Sequence, residues 1–231
     1  MNLENLTGKH KRKDIYILGC GTSLDNFDYS VLDGEITIAT NRAIMAYPAT
    51  YWTFFDKALT QDVKGKIPKT TTIVTSDDRI KLLDHEYRKQ WCECEHYKIK
   101  KLDAFSVDIK VSTKQLFHFR TIITAGLFLA WHLGARRIFV LGMDGYYYPD
   151  KYYGMCKAPE ARYKVENDHV YPDGRVYSDA QRFWNRALSH IADWFDHRGL
   201  YQGPFPEGGI YNLSPKSTIR AFEKVDVKDM F

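Results

Sequence analysis

Asp14-Ile-Tyr-Ile-Leu-Gly-Cys-Gly-Thr-Ser-Leu24 is the stretch from which the fold is read. Ile15 to Leu18 form a short unbroken apolar run between a charge and a glycine, the pattern of a strand in a parallel sheet covered on both faces. Gly19 and Gly21 let the chain turn sharply at its end, and Thr22 and Ser23 set hydroxyls beside the amides of that turn. Such a turn holds a phosphate, or is simply the tight turn that follows a strand. The residues leave both open, because the third glycine of the dinucleotide fingerprint and the Gly-Lys-Ser/Thr of a P-loop are missing.

The same design recurs downstream. Glu35–Thr40 runs into Asn41-Arg42, Tyr51–Phe55 into Asp56-Lys57, and Thr71–Thr75 into Ser76-Asp77-Asp78. Ile138–Leu141 ends in Gly142-Met143-Asp144-Gly145, and Ile210–Leu213 in Ser214-Pro215-Lys216-Ser217. The carboxyl ends of strands line the ligand crevice of an open parallel sheet, so these polar tips are expected to converge. Asp78 to Trp91, with Ile80, Leu82, Leu83 and Tyr87 at helical spacing, predicts a surface helix. Thr121 to Leu133 predicts an apolar helix lying on the sheet and closed by Gly134, with His132 inside it as a hydrogen-bonded core histidine. A long amphipathic helix is predicted from Ser178, with Ala187, Leu188, Ile191 and Phe195 on its apolar side. Between Glu93 and Val111 the alternation predicts a hairpin or an edge pair. Residues 146–178 begin with five tyrosines in eight positions and show no period, which predicts a lid. The fold class expected is α/β: a single Rossmann-like domain over residues 1–231, with a mostly parallel sheet and a tyrosine-rich lid.

Composition narrows the function. A chain of 231 residues buries one substantial core, and a net charge of +4 is mild. The basic residues are not interleaved with aromatics as a nucleic-acid groove requires, whereas the charge suits a small polyanionic substrate. No apolar run approaches the roughly 20 residues of a membrane span. The start lacks the apolar segment of a secretory signal, and its Lys9-His-Lys-Arg-Lys13 run reads as a solvated, frayed terminus. Four scattered cysteines argue against a disulfide framework and for a reducing cytoplasm. Cys92-Glu-Cys94-Glu-His96 lacks the spacing of a zinc site, so no metal is predicted. Aromatic residues make up 15% of the chain, enough for pocket walls and for an interface such as that of a homo-oligomer.

The order of these motifs resembles the bacterial sialyltransferases of glycosyltransferase family 42. It is also similar to the wider Rossmann-like group called domain of unknown function 115, which includes flagellin-glycosylation accessory factors and archaeal 6-hydroxymethylpterin pyrophosphokinases. The resemblance runs from about Asp14 to Ser217. In family 42 the first turn, Gly-Asn-Gly-Pro-Ser-Leu, receives the nucleotide phosphate, which implies that role for Gly19, Cys20, Gly21, Thr22 and Ser23. Asn41 matches an asparagine used near the nucleotide sugar, with Arg42 beside it, and Asp56 stands where the family has another asparagine. The family's Ile-Thr-Ser-Gly helix start is similar to Ile123-Thr124-Ala125-Gly126, with Ala125 replacing a serine that helps hold the donor carboxylate. Gly142, Asp144 and Tyr146 match a Gly-x-Asp followed by tyrosine. The resemblance implies Tyr152 or Tyr153 as the second phosphate-contacting tyrosine, and Ser214-Pro-Lys-Ser217 takes the place of Cys-Pro-Asn-Ser.

Family 42 places its general base, a histidine, shortly before the long helix, where this chain has Gly174-Arg175-Val-Tyr177 instead. His169 is the imidazole left in the lid, and Asp56, Asp168 and Asp173 are the other proton acceptors. Arg42, Arg120, Lys151 and Arg175 are the cations at hand for a leaving phosphate. The function implied is a nucleotide-sugar-dependent glycosyltransferase with a CMP-linked donor, a glycan or small-molecule acceptor and no required cofactor. The alternative is a magnesium-dependent (pyro)phosphokinase, in which Asp56 and Asp144 hold Mg2+. A non-catalytic nucleotide- or glycan-binding module is the third reading.

Overall fold

The computed structural model describes residues 1–57, 59–98, 114–118, 121–145, 169–170, 176–177, 179–197 and 209–230. The strands are β1 (Ile15–Leu18), β2 (Ile36–Thr40), β3 (Tyr51–Thr53), β4 (Thr72–Thr75), β5 (Trp91–Glu93), β6 (Glu95–Lys98), β7 (Gln115–His118), β8 (Arg137–Leu141), β9 (His169–Val170), β10 (Val176–Tyr177), β11 (Gly209–Asn212) and β12 (Glu223–Lys224). The α-helices are α1 (Leu59–Asp62), α2 (Asp77–Ile80), α3 (Ile122–Leu133) and α4 (Asp179–His197). Eight strands form one sheet in the order β12-β11-β8-β1-β2-β3-β4-β5, and every neighbouring pair is parallel. The architecture is the expected Rossmann-like α/β fold.

The chain lays down β1 to β5 in one direction, then returns to place β8, β11 and β12 on the other flank of β1. Strand order therefore reverses between β1 and β8, and the crevice of such a sheet opens at the carboxyl ends beside that reversal. Alternation along β1 explains why it is central: Ile15 and Ile17 enter the apolar layer under α3, while Tyr16 and Leu18 enter the opposite layer with Trp52, Phe139 and Leu141. α3 is buried along nearly its whole length, and Phe195 of α4 meets it at Phe128, 5.5 Å between ring centroids. Gly126 lets α3 approach the sheet, since a Cβ there would lie 3.0 Å from Ile17 Cγ2 and 3.3 Å from Thr40 Cγ2. This contact fixes the start of α3 at the carboxyl ends of the strands.

Several expectations are corrected. The stretch Asp78–Trp91 is not one helix but the single turn of α2, a 3-10 helix over His85–Gln90, and then β5. Pairing with β4 claims Trp91 to Glu93, and the Trp91 indole donates to the Thr75 carbonyl at 2.9 Å, so edge pairing overrides the helical period. β6 pairs in parallel with β7, and the second arm of the expected hairpin or edge pair, residues 105–111, lies outside the described residues. The basic start is docked rather than frayed: Leu3 and Leu6 are 0% exposed in a 3-10 helix, and the amides of Gly8, His10 and Arg12 donate to the His132, Leu133 and Gly134 carbonyls. Those carbonyls close α3 and need donors, and the cationic run also suits the negative end of the helix. Most of the proposed lid lies outside the described residues. Within it, β9 and β10 pair antiparallel, with His169 opposite Tyr177.

Candidate functional site

At the reversal, the turns after β1 and β8 meet backbone to backbone. The Gly19 amide donates to the Leu141 carbonyl at 2.8 Å, and the Gly21 amide to the Gly142 carbonyl at 2.9 Å. Both glycines are required by this approach, since a Cβ on either would sit 2.6 Å from the Gly142 oxygen. Gly142 itself adopts φ +67°, the left-handed region that glycine tolerates.

Asp144 is the hub. Its carboxylate is 3% exposed and accepts from the Ser23 amide at 2.8 Å, the Ser23 hydroxyl at 2.5 Å and the Thr22 hydroxyl at 3.3 Å. Ser23 Oγ also lies 3.1 Å from Ser214 Oγ, which ties the turn after β11 to the same carboxylate. Burial pushes the Asp144 carboxyl up, and the hydrogen bonds from Ser23, Ser214 and Thr22 oppose that rise. The amides of Gly19, Gly21 and Ser23 thus donate to protein acceptors, and Asp144 braces the turn from within.

Other predicted residues take structural roles nearby. Ser217 is buried, donating to the Met143 carbonyl at 2.6 Å and accepting from the Ile219 amide at 3.0 Å. The Arg42 guanidinium is ion-paired with Asp62 of α1. Thr124 is buried in the first turn of α3, its hydroxyl donating to the Thr121 carbonyl at 2.7 Å, while Gly126 lies against the sheet one turn on. Cys20 is half-buried, its thiol 3.5 Å from the Thr40 carbonyl. Asp56 is exposed beyond the carboxyl end of β3. Tyr146, Tyr153 and Arg175 lie outside the described residues, and His169 is described by its backbone alone. Cys92 and Cys94 are buried with their thiols pushed up by desolvation, and the described residues contain no cluster that would hold a metal ion.

Two buried polar atoms stand without partners among the described residues, Asn41 Oδ1 and Thr53 Oγ1. Thr40 is opposite Thr53 in the β2–β3 register, so the two atoms belong to adjacent carboxyl ends. Asn41 is also held at φ +49°, the left-handed region that asparagine enters more readily than most residues with a side chain. Orphaned polar groups and backbone strain gather where a ligand completes the structure. Asn41 belongs to the motif quoted from the sequence; Thr53 was passed over because a threonine in a strand has no local mark of function. The His118 ring at the end of β7 stacks on Phe55, just past β3, with centroids 4.1 Å apart.

No protein-family model matches the chain, and no curated protein does. Among solved structures the chain is similar to the MAf glycosyltransferase from Magnetospirillum magneticum AMB-1, with a TM-score of 0.54 and 16% identity. That superposition covers 97% of this chain and 37% of the other, so the chain spans little more than a third of that protein. It is also similar to the sialyltransferase CstII from Campylobacter jejuni, solved with a substrate analogue, cytidine-5'-monophosphate, with a TM-score of 0.48 and 15% identity over 93% of this chain and 85% of that one. At these identities the likeness is one of fold.

Proposed function

We propose that the chain is a nucleotide-sugar-dependent glycosyltransferase that takes a CMP-linked donor, as the sequence resemblance implies, and passes the sugar to a hydroxyl of a glycan or small-molecule acceptor. The supporting observation is where the Gly19–Ser23 turn falls: beside the reversal between β1 and β8, where an open parallel sheet takes its ligand. The fold is shared with a glycosyltransferase. In this reading the donor enters over the β1 turn, Asn41 and Thr53 meet its polar groups, and Tyr146, Tyr153 and Arg175 are the phosphate contacts that the sequence resemblance implies. His169 is the base that the lid offers, and the protein works in a reducing cytoplasm without a required cofactor.

The magnesium-dependent phosphokinase reading needs Asp56 and Asp144 to share an ion. Asp144 already accepts three bonds from Thr22 and Ser23, and β3 stands three strands from β8. At the usual strand spacing those strands are about 14 Å apart. Calorimetric titration with CMP and with ATP, each with and without magnesium, tests the proposal. Metal-independent binding of CMP is expected; binding of ATP only with magnesium, and none of CMP, would sink it.

A further inference from the structure

We propose that Trp52 is a positioning residue for the nucleotide: its indole N–H holds the peptide of Asn41 so that the Asn41 carboxamide meets CMP, an inference that rests on the transferase reading above. Trp52 is fully buried in the middle of β3, its ring stacked on Phe54 with 4.2 Å between centroids and 15° between planes. Its register partner on β2 is Ala39, yet its Nε1 donates to the Asn41 carbonyl at 2.7 Å, two residues further along. The indole thus ties the core of the sheet to the tip of β2.

Asn41 is where such a tie is needed. It opens a 3-10 helix over Asn41–Met45 directly after β2, at φ +49°. Asparagine enters this left-handed region more readily than most residues, but keeps to it only where its surroundings fix the backbone. Here they do so on both sides. The Thr40 carbonyl accepts from the Cys20 thiol at 3.5 Å, and the Arg42 guanidinium donates from Nε to Asp62 at 2.9 Å. Asn41 Oδ1, by contrast, is buried and has no partner among the described residues.

A buried amide oxygen in that state calls for a donor, and CMP brings several in its ribose hydroxyls and the amino group of its base. The Cys20 contact sets the β2 tip against the β1 turn, over which the reading above brings the donor. Removing one neutral hydrogen bond shifts a local conformational population by about fivefold, and apparent affinity falls with the fraction of the competent conformer. Stacking on Phe54 is a packing role that any aromatic ring fills; the N–H to Asn41 is particular to tryptophan.

Trp52→Phe keeps a ring on Phe54 and removes the N–H; Trp52→Leu, likewise without a donor, is the companion. Asn41→Gly removes the carboxamide and accepts the left-handed backbone. CMP affinity is measured by calorimetry for the parent, the single variants and the double variants, each checked for folding by urea unfolding. We expect the Trp52 variants to weaken CMP binding about fivefold, Asn41→Gly to weaken it at least as much, and the double variants to bind no more weakly than Asn41→Gly alone. Packing alone would weaken binding by the same factor with Asn41 or with glycine in place, and that result would overturn the assignment. Parental affinity in a folded Trp52 variant would overturn it as well, and so would parental affinity in Asn41→Gly, whatever the Trp52 variants do. A parent that binds no CMP removes the transferase reading itself, and the role of Trp52 with it.

Discussion

Gly21 has no room for a side chain: a Cβ would fall 2.5 Å from Asp144 Cγ and 2.6 Å from the Gly142 oxygen. Any substitution there is a folding lesion before it is a binding one, although from the motif alone the residue looks like a contact to phosphate. Thr53 is the better probe. Its buried hydroxyl has no partner among the described residues, so Thr53→Val removes a group that folding leaves unsatisfied. Urea unfolding is expected to show unchanged stability or a gain of up to about 1 kcal/mol. CMP affinity should fall several-fold in calorimetry if a ligand supplies the missing donor. A loss of stability above about 1 kcal/mol would instead show that the hydroxyl is satisfied in the folded protein.

Between residues and fold, the segment before β1 departs furthest from its sequence reading. Polarity and charge suggest a loose end, yet its amides close α3 and its two leucines fill the layer under that helix. Leu6→Ala is expected to cost about 2–5 kcal/mol in denaturant unfolding, the range for a buried leucine. A frayed terminus would show less than about 0.5 kcal/mol. Asp14, which follows, is clamped by Arg136 and Arg137 at the start of β8. Burial pushes its carboxyl up, but the hydrogen bonds from Arg137 and Arg136 outweigh this and hold it below the usual range. The amino ends of the two central strands are thus joined by charge, as their carboxyl ends are joined through Asp144. The pattern within each element was readable; which element would satisfy the open end of α3 was not, because the donors and acceptors lie more than 100 residues apart.

For the whole molecule, the response to pH follows from two imidazoles, His132 buried and His10 half-buried. His10 is lowered by burial and by Lys9, and His132 is lowered by burial, partly offset by its bond to the Gln115 carbonyl. A lowered histidine contributes stability that is present above its unfolded value, about 6.5, and lost as pH falls below it. The urea midpoint should therefore drop between pH 7.5 and pH 5, and the drop should shrink in His132→Gln. Asp144, raised by burial, works in the opposite direction, so the comparison of parent and variant isolates the histidine share; equal drops would refute it. By itself the sequence determined the parallel sheet, its central strand and the apolar helix laid upon it. Period, turn chemistry and helix caps are local, and each is written in a few adjacent residues. Only the tertiary structure decided where strand order reverses, that Asp144 braces the β1 turn from within, and that His118 rests on Phe55. Those relations join residues 63 to 122 positions apart, and close packing selects them from many pairings that the local pattern allows equally.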